Sequence, residues 1–389
     1  MQIVFTISAL NGGGAEHVMM LLLNAFVCQG FSCEVVVTSQ RRADADLHGL
    51  REDIPCIFLE DTVELPRHNY WWGKCCKVFE MFHIPTPGIL VRQAFFEDFG
   101  IQVEFLHTFF KSRPKATIIS FLHPADQITM AAAEGLANSV VISERADPIR
   151  YFKTRYAPYF LNRYYPKLSK MVFQTPQARD YYPEAIQSRG VVIPNPVAKN
   201  LPKSFHGERV KKIVNFCRFS PQKNPWLLMD AFDLFAENHP GYLLEFIGEG
   251  PWKEDMKRYA ATKKHGHRIA ILPHRQDIHQ SIQKYSMFVS SSDFEGMSNS
   301  MLEAMAIGLP TICTDCPIGG AAYIIHDHEN GLLVPMKNLG RLAQAMAEVA
   351  DSPELSRKLS GNGSKIREQL AEEVIVQAWL DVLHEVAGD

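Results

Sequence analysis

A chain of 389 residues, 46% hydrophobic and 21% charged, has an ordinary globular composition and the length of two domains. That composition excludes disorder, collagen and coiled coil as readings of the whole chain, and a net charge of −3 gives no electrostatic footprint for nucleic acid. No apolar run reaches the roughly 18 residues of a membrane-crossing helix; the longest candidate, Val18 to Val27, is short and carries Asn24.

The chain opens Met-Gln-Ile-Val-Phe-Thr-Ile-Ser, with no basic leader before its apolar residues and no small-residue cleavage site after them. The expectation is a first strand, Ile3–Ser8, rather than a signal peptide, and a cytoplasmic protein. The eight cysteines lie in apolar segments without framework spacing and read as reduced structural thiols. After the first strand comes Asn11-Gly12-Gly13-Gly14-Ala15-Glu16 and then a helical pattern. Glycines there let a backbone approach a ligand closely, and a helix N-terminus offers amides to an anion, so the loop is expected to face phosphate. It is not a dinucleotide fingerprint, because the third glycine would fall at His17, and this disfavours a nicotinamide dehydrogenase.

Further strands are expected at Cys33–Thr38, Cys56–Leu59, Thr117–Phe121, Val140–Ser143, Met171–Gln174 and Val191–Ile193, with helical stretches between most of them. Two aromatic-basic stretches interrupt this series. One runs through Tyr70, Trp71, Trp72, Lys74 and Lys77 and reads best as ordinary packing. The other, Arg145 to Lys170, holds seven cations, including Arg145, Arg150, Lys153 and Arg155, against one acid, Asp147, with seven aromatics interleaved. It reads equally as a membrane or acceptor surface and as a surface helix whose tyrosines pack on the sheet.

A boundary falls near Pro194-Asn195-Pro196, followed by fifteen polar and basic residues. A second strand series then begins: Ile213–Cys217, Leu243–Ile247, Ile269–Leu272, Met287–Ser290, Thr311–Cys313 and Gly331–Val334. The alternation predicts α/β architecture with parallel sheets covered on both faces. Arg218 and Lys223 bracket a strand end and a helix start, with Asn224 as cap and Pro225 at the first helical position. Ligands of open α/β sheets bind in that crevice, and two cations suit a diphosphate. Gly248-Glu249-Gly250-Pro251 makes a second turn of the same kind. Ser291 to Ala306 holds Glu295 in a turn and Glu303 at the start of a helix. Two carboxylates so spaced can face one ligand, and a carboxylate can accept both hydroxyls of a ribose or hexose. Alternatively Ser300-x-x-Glu303 is a capping box that serves its own helix. Cys313-x-x-Cys316 with His326 and His328 resembles half a zinc site, but its spacing is unlike a finger.

Gly13-Gly14-Ala15-Glu16, Arg218 with Lys223, Gly248-Glu249-Gly250-Pro251, the Glu295 to Ala306 run and Asn330-Gly331-Leu332-Leu333-Val334-Pro335, in this order, resemble the retaining glycosyltransferases of family 4. Ser143-Glu144-Arg145-Ala146-Asp147-Pro148 is similar to the bacterial branch that builds capsule, exopolysaccharide and lipid-linked oligosaccharides. The resemblance implies a GT-B fold: two Rossmann-like parallel-sheet domains facing a central cleft. Residues 1–196 form the acceptor side, 197–370 bind the nucleotide-sugar, and 371–389 form a helix returning toward the first domain. It implies catalytic roles for Glu295, Arg218 and Lys223. Donor contacts would come from Gly13, Gly14, Arg218, Lys223, Glu295, Gly296, Met297, Ser298 and Glu303. Transfer of a hexose or N-acetylhexosamine from a UDP-sugar is expected, without cofactor or metal, to a polysaccharide or polyprenyl-diphosphate-linked acceptor. Arg145, Arg150, Lys153 and Arg155 are expected to meet acceptor or anionic membrane, with the protein cytoplasmic and peripheral on the inner face of the plasma membrane. A non-catalytic sugar-nucleotide-binding partner and a UDP-N-acetylglucosamine 2-epimerase are the competing readings. The family's first-domain histidine is matched by His123 only loosely, a core-edge role being an equal reading, and Cys217 stands where a glycine usually precedes the arginine.

Overall fold

The computed structural model describes residues 1–63, 71–81, 84, 86–205, 207–275 and 277–388. The chain divides into two compact units, Met1–Ile193 with Val376–Asp389, and Pro194–Ile375. The second unit begins ahead of the expected residue 197 because Asn195 is tied into it: its Nδ2 donates to the carbonyl of Met297 at 3.2 Å and to Oδ1 of Asn299 at 2.7 Å.

Unit 1 is built on β1 (Gln2–Ile7), β2 (Ser32–Val37), β3 (Cys56–Phe58), β4 (Thr117–Phe121), β5 (Val140–Glu144), β6 (Lys170–Phe173) and β7 (Gly190–Val192). They form one sheet in the order β3-β2-β1-β4-β5-β6-β7, and every pairing is parallel. The apolar runs explain why: all five residues of β4 and of β5 are buried, as strands covered by helices on both faces must be. The last helix, Glu372–Ala387, belongs to this unit from Val376 onward. Its Trp379 is fully buried with the indole stacked on Phe121, the ring centroids 6.0 Å apart.

Unit 2 repeats the plan with β8 (Val210–Phe216), β9 (Leu243–Ile247), β10 (Ile269–Leu272), β11 (Tyr285–Ser290), β12 (Thr311–Asp315) and β13 (Leu332–Pro335). Their order is β10-β9-β8-β11-β12-β13, again all parallel. Leu228, Phe232 and Phe235 from helix Pro225–Phe235 join Leu342 and Met346 from helix Leu339–Asp351 in its core. All thirteen expected strands are present, most with ends displaced by a residue. The largest shift is at β8, which starts at Val210 because Val210 pairs with Tyr285 and Lys212 with Leu243, although Val210 and Lys211 are exposed.

In each sheet the chain order reverses beside the first strand, between β1 and β4 and between β8 and β11. Loops leaving the carboxyl ends of those strands diverge there and leave a crevice. Among the described residues no helix is long and apolar enough to cross a membrane.

Candidate functional site

In unit 2 the switch point lies between the loop after β8 and the loop after β11. The first carries Arg218, exposed, and Lys223. It closes tightly because Gly248 and Gly250 lack side chains: a Cβ on Gly248 would lie 2.0 Å from the Cys217 carbonyl oxygen, and one on Gly250 would lie 2.3 Å from that of Phe219. The amide of Phe219 donates to the Glu249 carbonyl at 2.8 Å across this contact. The glycines at this second turn thus serve backbone packing that sets where Arg218 stands.

The two loops are stitched together by several bonds. The amide of Asp293 donates to the Gln222 carbonyl at 2.9 Å. Ser291 donates its hydroxyl toward the carbonyls of Lys223 and Asn224 at 3.1 and 2.9 Å. Asn224, left-handed at φ 41°, caps helix Pro225–Phe235 and donates from Nδ2 to Asp293 at 2.9 Å. This stitching delivers the Lys223 ammonium to the carboxylate of Glu295, and Ser292 donates to the same carboxylate oxygen at 3.4 Å. Burial works against the charge on Lys223, but Glu295 more than offsets it, and the amine titrates above its ordinary value. The outcome is a cation held charged in a part-buried crevice.

Gly296, Met297 and Ser298 link this turn to helix Asn299–Ala306. That link lies directly on Gly320, where a Cβ would meet the Gly296 carbonyl oxygen at 1.6 Å. Ser298 caps the helix, accepting from the amide of Met301 at 3.4 Å. The cap is therefore Ser298 and not Ser300, and Glu303 lies in the second turn, so the capping-box reading fails. Its carboxylate instead meets Nε2 of His279 at 3.0 Å, from helix Ile278–Ile282. His279 also packs edge-on against Phe216, the last residue of β8. Sequence reasoning passed over His279, which carries no spacing signal; only its place beside the switch point marks it.

Unit 1 presents a parallel arrangement. Gly13 is the N-cap residue of helix Gly14–Cys28. The carboxylate of Glu16 reaches back to accept from the amides of Asn11 at 2.5 Å and Gly13 at 2.8 Å. An incoming phosphate would have to displace that carboxylate from Gly13. After β4, His123 stacks on Tyr151 with ring centroids 3.8 Å apart. Its Nδ1 lies 3.4 Å from Asp126 and its Nε2 3.5 Å from Glu144. Glu144 also accepts from the Tyr182 hydroxyl and from the amide of Ala146. Burial pushes the Asp126 carboxyl up to about 6. For His123 burial opposes the charge, and the two carboxylates overcome it, raising its titration. The core-edge reading of His123 understates a buried charge network at the switch point.

The basic segment needs correction. Arg145 is buried, with its Nε donating to Ser143 at 2.7 Å and its guanidinium 5.4 and 5.7 Å from the rings of Phe121 and Trp379. It is a core residue and cannot meet a membrane, because the strand end places its side chain inward. Tyr151, Phe160, Tyr164 and Tyr165 are likewise buried, Phe160 against Phe95 of helix Gly88–Lys111 and Tyr165 beside Tyr182, so four of the seven aromatics are core. Lys153 and Arg155, by contrast, line a groove, and Arg150 is exposed.

Among the described residues no group of three or more His, Cys, Asp or Glu is placed to hold a metal ion. Burial drives the Cys313 thiol far up and that of Cys316 to about 12. All eight cysteines are free thiols.

Residues 197–366 match the family described as glycosyl transferases group 1. The chain spans less than half the length of several curated relatives that it matches. It aligns over 99% of both chains, at 22% identity, with an N-acetyl-D-galactosaminyltransferase of Campylobacter jejuni that acts on an undecaprenol-diphosphate-linked glycan. It is 29% identical, over 42% of this chain and 46% of the other, to an Escherichia coli α-1,3-galactosyltransferase acting on a GlcNAc-diphosphoundecaprenol. The fold is that of the pneumococcal O-GlcNAc transferase GtfA, solved with UDP and GlcNAc: TM-score 0.76 at 14% identity, over 100% of this chain and 99% of that one.

Proposed function

From residues 197–366, which carry the group 1 glycosyl transferase match, we propose that this chain is a retaining glycosyltransferase of bacterial glycan assembly. It takes a hexose or N-acetylhexosamine from a UDP-sugar and passes it to a polyprenyl-diphosphate-linked or polysaccharide acceptor. The Lys223–Glu295 pair at the unit 2 switch point carries this reading. A lysine kept charged by a neighbouring carboxylate is ready to exchange that partner for a diphosphate, leaving Glu295 to turn toward the sugar.

In the reaction the bond from the anomeric carbon to the diphosphate oxygen breaks, its electron pair leaving with the diphosphate. Lys223 and Arg218 stabilise the charge that develops there. Glu295 faces the positive charge on the anomeric carbon. The acceptor hydroxyl attacks the same face of the sugar, and its proton passes to the departing phosphate oxygen. Glu303, oriented by His279, accepts from the ribose hydroxyls, and the amides of Met297 and Ser298 contact phosphate or sugar. Two cations neutralise the leaving group, so no metal or other cofactor is needed. The protein works in the cytoplasm and docks peripherally on the inner face of the membrane that holds its acceptor.

The test is transfer from UDP-sugars to a short-chain polyprenyl-diphosphate sugar in chelator, with the product's anomeric coupling read by nuclear magnetic resonance. An α-linked product from an α-configured donor, reduced on the order of 100-fold or more in Lys223→Ala, is expected. A β-linked product would contradict retention, and a strict metal requirement would contradict the role given to the basic pair.

A further inference from the structure

Thirteen large apolar side chains stand exposed among the described residues, and six of them fall between 71 and 89: Trp71, Trp72, Val78, Met81, Ile84 and Ile89. Four belong to helix Trp71–Met81. Trp71, Lys74, Val78 and Met81 follow one another at spacings of three, four and three residues, which places them on one face, with Lys77 at its margin. All five are exposed, Trp71 at 65% and Met81 at 67%, while Gly73 and Cys76 on the opposite side are buried. The helix is held in place: the Glu97 carboxylate of helix Gly88–Lys111 accepts the amides of Trp71 at 2.7 Å and Trp72 at 2.8 Å, an acid at a helix N-terminus. Tyr70 lies outside the described residues.

Beside this helix is a groove of about 1250 Å³ whose lining includes Ile84, Lys153, Arg155, Arg163 and Lys167. Arg155 comes against the helix itself, its guanidinium 3.1 Å from where a Cβ on Gly73 would lie. Glu134 pairs with two of these cations, Arg163 at 2.8 Å and Lys167 at 3.1 Å, while Asp98, also in the lining, accepts from the Tyr156 hydroxyl.

We infer that the outer face of helix Trp71–Met81, flanked by the Lys153–Lys167 groove, is the surface by which unit 1 lies on an anionic lipid bilayer. A helix held by its inner side and showing tryptophan, valine, methionine and two lysines outward matches an in-plane interfacial helix, with indole at the headgroup level and ammonium groups among lipid phosphates. The adjoining cations extend that complementarity. A second copy of this chain fits poorly, because a two-fold contact through the face would bring Lys74 and Lys77 toward their own copies. The inference deepens the membrane part of the proposed function, but it moves the apolar contact away from the aromatics of 151–165, most of which are core.

The experiment is co-sedimentation of the full chain with vesicles of phosphatidylglycerol and phosphatidylcholine, or of phosphatidylcholine alone, at low and high salt. Variants are Val78→Glu with Met81→Glu, Lys153→Glu with Lys167→Glu, and Trp71→Phe. Binding to anionic vesicles is expected to be roughly ten-fold or more tighter than to neutral ones, and to weaken with salt. The apolar-face pair should lose roughly ten-fold or more, the groove pair several-fold, and vesicles should blue-shift a fluorescence component absent from Trp71→Phe. Unchanged UDP binding by each variant separates this result from the transferase reading, and wild-type hydrogen-exchange protection of β4 and β5 in each variant shows that unit 1 is folded. Wild-type vesicle binding by the Val78/Met81 variant would overturn the inference, as would no binding to anionic vesicles. A dimer in sedimentation equilibrium that the same variant abolishes would assign the face to a second copy instead.

Discussion

Asp126 shows how much of unit 1's switch point is electrostatic. Its carboxyl is fully buried and raised to about 6 from an unfolded value near 3.8. The folded state therefore holds a proton that the unfolded chain has released, and stability falls as pH rises between those two values. His123 adds in the same direction at higher pH: its contribution is complete below the ordinary imidazole value of 6.5 and is lost as pH rises through its raised folded value. The Asp126→Asn variant, which cannot ionise, should gain on the wild type between pH 4 and pH 6 by about 2–3 kcal/mol, and the difference should then level off. Urea unfolding across that range checks it; a pH-independent difference would mean that Asp126 is not held protonated. Little of this was legible in sequence. Asp126 lies three residues from His123 but inside an apolar helix pattern, and only the pairing of β4 with β5 brings Glu144, which closes a strand, to the same histidine. Lys223 and Glu295 were legible, because each sits where a strand end meets a helix start, and such positions are fixed by local pattern. What sequence lacked was the connection between Glu303 and His279, twenty-four residues apart on different helices.

At the scale of elements, the loops after β8 and β11 work because glycine is placed where backbones meet. Gly320→Ala puts a methyl carbon 1.6 Å from the Gly296 carbonyl oxygen, and because a Cβ is fixed by its own backbone and its neighbour is backbone, no rotamer change relieves it. The 296–298 link must move and carry Glu295 with it. The expected result is a loss of about 1–3 kcal/mol in stability together with at least a ten-fold loss in UDP-sugar affinity. Gly361→Ala is the contrast: nothing lies within 4 Å, the site is in helix Pro353–Gly363, and stability should rise by about 0.5–1 kcal/mol with affinity unchanged. Thermal unfolding and donor titration of the two variants check this pair; equal behaviour would show that the close approach does not matter. The strands themselves were readable because a parallel strand buried on both faces is a short continuous apolar run. Helix Trp71–Met81 misled for the converse reason. Its apolar residues suggested ordinary packing, whereas their helical phase puts most of them on the exposed face. The aromatics of 151–165 misled in the opposite sense, since an interleaved basic pattern concealed rings that pack inward.

For the whole molecule, two sheets of the same plan are joined by a chain that returns to unit 1 at Val376. Trp379 fills the core of unit 1 against Phe121, with the Arg145 guanidinium alongside. Trp379→Ala should cost about 3–5 kcal/mol. Hydrogen exchange should show the loss in β4 and β5, while β8 and β11 keep their protection; equal loss in both units would mean that they unfold together. The central claim concerns unit 2, and the most direct measurement is a donor screen by nuclear magnetic resonance. UDP-, GDP- and ADP-sugars are titrated into the full chain without metal, with Lys223→Ala and Glu295→Ala alongside. Selective line broadening and slow hydrolysis of one UDP-sugar, with hydrolysis lost in both variants, is the predicted result. Binding to no sugar nucleotide, or hydrolysis undiminished in both variants, would contradict the account.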